Sequence, residues 1–117
     1  MKSHTWELIP KEQLNPTFAR QVIHTELMTL ARVYMKDGCF VPEHHHPNEQ
    51  VSIVYEGSLK FVFPTEGREV VVHAGDALEI PANLPHSAVA LEDTVAMDVF
   101  TPPRQDWISG NDAYLRK

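Results

Sequence analysis

Four side chains in two separated stretches have the types and spacing to close around one metal ion. His44 and His46 lie two apart between Gly38 and Gly57. On an extended segment residues two apart point to one side. Gln50 follows at a further even step, so its amide can share that side. His86 comes from a second stretch, Gly75 to His86, and must arrive on a separate strand. Imidazole nitrogens with an amide oxygen suit a divalent transition metal. Zinc and nickel come first, with manganese and iron also compatible. The histidine run is internal, unlike a terminal tag.

The elements that must position these donors are short and β-rich. The sequence predicts one long strand or two joined ones over Thr25 to Lys36. Further strands follow at Gln50 to Tyr55, Ser58 to Phe63, Glu69 to His73, Ala77 to Ile80, Ser87 to Leu91 and Thr94 to Phe100. Most carry β-branched or aromatic residues. Glu56-Gly57-Ser58 and Thr65-Glu66-Gly67 are turn signals, and Asn83-Leu84-Pro85 breaks the chain before His86. Asn15 to Gln21 reads as one helical turn. Regular short strands without long helical periods argue for an all-β sandwich or barrel. The 117 residues make one domain, with an N-terminal strand or arm over 1–24, the barrel over about 25–101 and a tail over 102–117. Trp107, Ile108, Tyr114 and Leu115 should fold the tail back onto the barrel or a partner subunit.

Composition narrows the partners. Apolar content of 43% is that of a globular protein. A formal charge of -6 disfavours DNA or an anionic membrane surface and leaves small anions open. The small core favours pairing with a second copy as a homodimer. A single cysteine, Cys39, excludes an internal disulfide and reads as a small buried residue. No apolar run reaches membrane-spanning length, and Met1 to Trp6 lacks a signal-peptide stretch, so the cytoplasm is the expected location.

At the metal-site residues the chain resembles a cupin. Gly38, His44, His46 and Gly57 match the usual first motif, G-x5-H-x-H-x3/4-E-x6-G, with Gln50 at the glutamate position. Gly75, Pro81 and His86 match the second, G-x5-P-x-G-x2-H-x3-N, with Asn83 and Ala90 at its glycine and asparagine. The resemblance implies a double-stranded β-helix (jelly-roll) barrel, commonly a homodimer, with the metal inside its open end. His44 to Gln50 is also similar to the H-x-H-P-x-E-Q form of small single-domain cupins. These include pectin degradation proteins of the KdgF type, which open the ring of 4,5-unsaturated uronates to a linear keto-acid. Asp98 to Arg104 resembles that group's D-x-F-x-P-P-R segment. This implies an active-site role for Asp98, Phe100 and Arg104, and a small anionic substrate.

The residues supply their own chemistry. Three neutral imidazoles and a neutral amide cancel none of the cation's charge, so the centre should be a strong Lewis acid that attracts anions. By strand parity Glu49 points away and is a substitute ligand only if the backbone bulges, and Glu43 reads as a surface residue, with orientation of a ligand imidazole as its alternative role. By alternation His45 points outward. Asp98 and Phe100 share one face of the last strand, across from Val95, Met97 and Val99, which suits a pocket wall. Desolvation beside an aromatic ring would raise the Asp98 pKa and fit it for proton transfer. Arg104 is placed to grip a carboxylate at the rim through two hydrogen bonds, or else to pair with Asp98 and brace the tail. Arg32 and Tyr34 share a face that lines the barrel mouth, with Arg32 a second anion-binding candidate. Three functions compete: ring opening of an unsaturated uronate, iron-dependent dioxygenation of a small organic substrate, and non-catalytic binding of a small acid.

Overall fold

A computed structural model describes residues 1–117. Ten strands form two antiparallel sheets. They are β1 (Glu12–Asn15), β2 (Phe18–His24), β3 (Thr29–Met35), β4 (Phe40–His44), β5 (Glu49–Glu56), β6 (Ser58–Phe63), β7 (Arg68–His73), β8 (Ala77–Ile80), β9 (His86–Ala90) and β10 (Thr94–Thr101). The larger sheet runs β1-β2-β3-β10-β5-β8 and the smaller β4-β9-β6-β7. β3, β5 and β9 alternate as half-buried strands do. In β3, Thr29, Ala31, Val33 and Met35 are buried while the residues between them stay half-buried. The inner faces meet in one core containing Val33, Val54, Leu59, Phe61, Phe63, Ile80, Ala88 and Phe100. The architecture is the expected all-β jelly roll.

Two expectations about the N-terminal part change. Asn15 to Gln21 makes no helical turn; it holds the end of β1, a tight turn and the start of β2. The Asn15 side chain accepts from both the Thr17 amide, at 2.9 Å, and the Thr17 hydroxyl, at 3.0 Å. That local bond stabilises a reversal rather than a helix. The predicted Thr25 to Lys36 strand begins only at Thr29, because Thr25 closes a turn by bonding the Met28 carbonyl.

Glycine and asparagine place two turns. Gly57, at φ 85°, joins β5 to β6, and a Cβ there would collide with the Asp93 carbonyl and the Thr94 hydroxyl. Asn83 is the one non-glycine residue in the left-handed region, at φ 64°. It stands where the family motif has glycine, and asparagine is among the few side chains that accept that conformation. Its amide donates to the His46 carbonyl at 2.8 Å, tying the turn before β9 to the histidine loop.

The tail returns to the barrel through a short helix, α1 (Gln105–Ile108), and a 3-10 turn at Ala113–Leu115. Leu115 is buried in the core. Asp112 is buried against Arg20 and also receives Arg116. The Asn15 amide bonds the Leu115 and Lys117 carbonyls. No helix is long and apolar enough to cross a membrane.

Candidate metal centre

His44 ends β4 and His86 begins β9, and the two are register partners across the small sheet. His46 sits in the loop after β4, and Gln50 lies on β5. The three imidazoles offer ligand atoms that all lie within 4.8 Å of one another. The ring centroids of His44 and His86 are 4.4 Å apart, and those of His46 and His86 5.3 Å.

Hydrogen bonds fix which nitrogen faces inward. Nδ1 of His44 meets the Pro42 carbonyl at 2.7 Å, Nδ1 of His46 the Asn48 carbonyl at 3.0 Å, and Nδ1 of His86 the Leu84 carbonyl at 2.8 Å. A carbonyl only accepts, so each Nδ1 carries the proton and each Nε2 keeps a lone pair. Backbone bonds of this kind commonly orient metal-bound histidines. Nε2 of His86 is buried without a partner. Nε2 of His46 lies 3.1 Å from Oε1 of Gln50, so two acceptors face each other. A cation satisfies all of these atoms at once, and the donor set therefore fits a divalent transition metal.

The surroundings keep the ligands neutral. Burial, above all, pulls the pKa of His44 from 6.5 to about 4, with the neighbouring imidazoles and Arg104 adding to the effect. His46 likewise falls to about 4, first through burial and then through Arg104. Burial also lowers the pKa of His86. At neutral pH none of the three must lose a proton before it binds metal.

A cavity of about 50 Å³ lies beside the centre, lined among others by His44, Gln50, His86, Asp98, Phe100, Arg104, Trp107 and Tyr114. Asp98 and Ser52 are direct neighbours across β10 and β5, and the Ser52 hydroxyl donates to Asp98 at 2.6 Å. Desolvation raises the Asp98 pKa to about 6 against the opposing pull of Ser52, Arg104 and Gln50.

Arg104 departs from its expected role. It is 1% exposed, and its Nε and Nη2 clasp Asp106 at 2.9 and 2.7 Å. Nη2 also meets the Tyr114 hydroxyl at 2.6 Å. The two-bond grip anticipated for a ligand is therefore spent on Asp106, two residues on. The alternative ion pair with Asp98 does not form either. Phe100 is buried, its ring edge-on to His46 and under the Arg104 guanidinium. Arg32 and Tyr34 do not line the barrel mouth. Their strand turns Val33 and Met35 inward, and the Tyr34 hydroxyl bonds Gln21 on the outer face. His45, Glu43 and Glu49 are exposed, and Cys39 is buried.

Ser52, Trp107 and Tyr114 went unmarked as site residues. Ser52 had a signal: it lies two beyond Gln50 on one strand and so shares its face. Tyr114, whose ring is 4.9 Å from that of His44, had none, because only the returning tail brings it there.

A two-sheet barrel with a histidine cluster beside its inner cavity defines a metal-binding jelly roll. The sequence model of the cupin domain matches residues 31–101, and the chain belongs to that family. Among solved structures, it resembles an RmlC-like cupin from Shewanella frigidimarina, with TM-score 0.81 and 26% identity over 89% of this chain and 93% of the other. It also resembles KdgF from Halomonas sp., with TM-score 0.76 and 29% identity over 84% and 92%. Among curated proteins, it is 34% identical over 73 residues to acireductone dioxygenase 1 of Pectobacterium atrosepticum, a match covering 59% of this chain and 42% of the relative. The acireductone dioxygenase of Gluconacetobacter diazotrophicus is 38% identical over 66 residues, 53% of this chain and 37% of its own. The chain thus spans well under half of these curated relatives.

Proposed function

We propose that this cupin is a metal-dependent enzyme acting on a small sugar acid, opening the ring of a 4,5-unsaturated uronate to give a linear keto-acid. The observation that carries this reading is a single cavity lined by His44, His86 and Gln50 together with Asp98, Phe100 and Arg104. The likeness to KdgF supports it.

The reaction is an isomerisation. The anomeric hydroxyl loses a proton and becomes the aldehyde as the bond from the anomeric carbon to the ring oxygen breaks, and the released enolate becomes a ketone as its carbon gains a proton. No oxidant or added water is consumed. His44, His46, His86 and Gln50 would hold the metal, which supplies Lewis acidity toward a bound oxygen. Asp98 moves the proton, since a carboxyl group titrating near 6 is poised to take and return one around neutral pH. Arg104 adds positive charge at the cavity wall, with Nη1 left over from its bonds to Asp106 and Tyr114. The cavity beside the centre, about 50 Å³, has room for a few waters next to the ligand side chains.

The test is incubation of the metal-loaded protein with a 4,5-unsaturated uronate while following the absorbance of its double bond. Wild type should bleach it. Asp98→Asn should bind metal normally and lose about 100-fold or more in rate, the usual weight of a general acid–base group. An unchanged absorbance with the metal-loaded wild type sinks the assignment.

The sequence likeness to the acireductone dioxygenases favours a second reading, an iron-dependent dioxygenase of a small organic substrate. It requires oxygen uptake with ferrous iron and none with zinc, which an oxygen electrode decides.

A further inference from the structure

Ser52 is wholly buried and touches both sides of the site. Its oxygen receives Nε2 of Gln50 at 2.9 Å and its hydroxyl hydrogen goes to Asp98 at 2.6 Å. A hydroxyl has one hydrogen. With that hydrogen committed to a carboxylate, which only accepts when ionised, Ser52 can only accept from Gln50. The Gln50 NH2 group must therefore face Ser52, and Oε1 must face the imidazoles.

His46 pulls the other way. Its Nδ1 proton is held by the Asn48 carbonyl, so Nε2 presents a lone pair to Gln50. Without a cation, His46 would be better served by the amide NH2. The serine thus holds the amide in the orientation that is unfavourable for the empty cluster and correct for a metal.

We propose that Ser52 is a positioning residue of the metal centre: through its bonds to Asp98 and Gln50 it keeps the Gln50 oxygen, rather than the NH2 group, turned toward His44, His46 and His86. The inference rests on the metal-site reading and is independent of the substrate. An amide differs here from the carboxylate usual at this position. A carboxylate offers oxygen whichever way it rotates, whereas an amide must be told which end to present.

The experiment is calorimetric titration of Ni²⁺ alone into the metal-stripped protein at pH 8, where Asp98 is ionised. Ser52→Ala should weaken binding about tenfold, a usual effect of losing a group that orients a ligand. Gln50→Ala should weaken it at least as much, and the Ser52→Ala/Gln50→Ala pair no further. In a Gln50→Glu background Ser52→Ala should have little effect on affinity. Circular dichroism confirms folding. If Ser52→Ala does not fold, Ser52→Thr, which keeps the hydroxyl, is compared with its isostere Ser52→Val, and only the threonine should bind like wild type. Wild-type affinity in Ser52→Ala, or losses that multiply in the double variant, overturns the role of Ser52. Failure of the wild type itself to bind Ni²⁺ removes the metal centre and this inference with it. Loss of uronate activity alone touches neither.

Discussion

Each ligand imidazole is oriented by a carbonyl only two residues away: Pro42 for His44, Asn48 for His46 and Leu84 for His86. The tautomer is thus set locally, while burial sets the protonation state. This has a consequence for the metal-free protein. His44 and His46 titrate near 4 when folded and near 6.5 when unfolded, so between those values the unfolded chain binds more protons. Their contribution to stability is present above 6.5 and is lost as pH falls toward 4. Asp98 acts oppositely. Its folded pKa of about 6 exceeds the ordinary 3.8, so it favours the folded state below 3.8 and loses that effect as pH rises through 6. Two histidines outweigh one aspartate, and the lowered pKa of His86 adds to their side. Melting of the metal-free protein should therefore shift upward from pH 4 to pH 6.5. Asp98→Asn should make that rise steeper.

Two elements deliver the donors: the β4–β9 pair, which sets His44 beside His86, and the β5–β10 pair, which sets Gln50 beside Phe100 and Ser52 beside Asp98. The turn at Gly57 fixes how β5 leaves that pair, by close approach to the start of β10. Gly57→Ala combines an unfavourable φ with a collision against backbone. It should cost about 2 kcal/mol or more in urea unfolding. The tail is a third contributor. Leu115 is buried in the core, so Leu115→Ala should cost about 2–5 kcal/mol in the same measurement. Nickel affinity should hold, since no ligand is touched.

On the scale of the whole molecule, the two sheets enclose a core that a chain of 13.3 kDa can only make small. Assembly as a homodimer, expected on that ground, predicts a sedimentation mass twice that of one chain. A mass equal to one chain would refute it. The outer face of the large sheet keeps Val51, Ile53, Val95 and Val99 only half-buried. With a formal charge of -6, the surface as a whole does not attract anions, so the proposed acid substrate would have to be drawn by the metal centre.

The strands from β5 onward were readable to within a residue or two, because alternation and Gly or Pro punctuation are local properties of the chain. The histidine spacing and the glycines likewise announced the metal motif. β1 and β2 were legible only as an N-terminal strand or arm, and β4 was not among the expected strands. Nothing in Thr17-Phe18-Ala19-Arg20-Gln21 prefers a strand until β3 supplies the hydrogen-bond partners, and β-preference depends on that context. Tertiary structure alone decided that Arg104 meets the Tyr114 hydroxyl, that Tyr114 closes over His44, and that Ser52 reaches Asp98. Residue type and spacing determine which groups can bind a metal or carry a proton. The imidazole tautomers are set within two residues, but the bonds that bring Asp98 to Ser52 and Tyr114 to Arg104 join separate elements, and only the closed barrel brings those within reach.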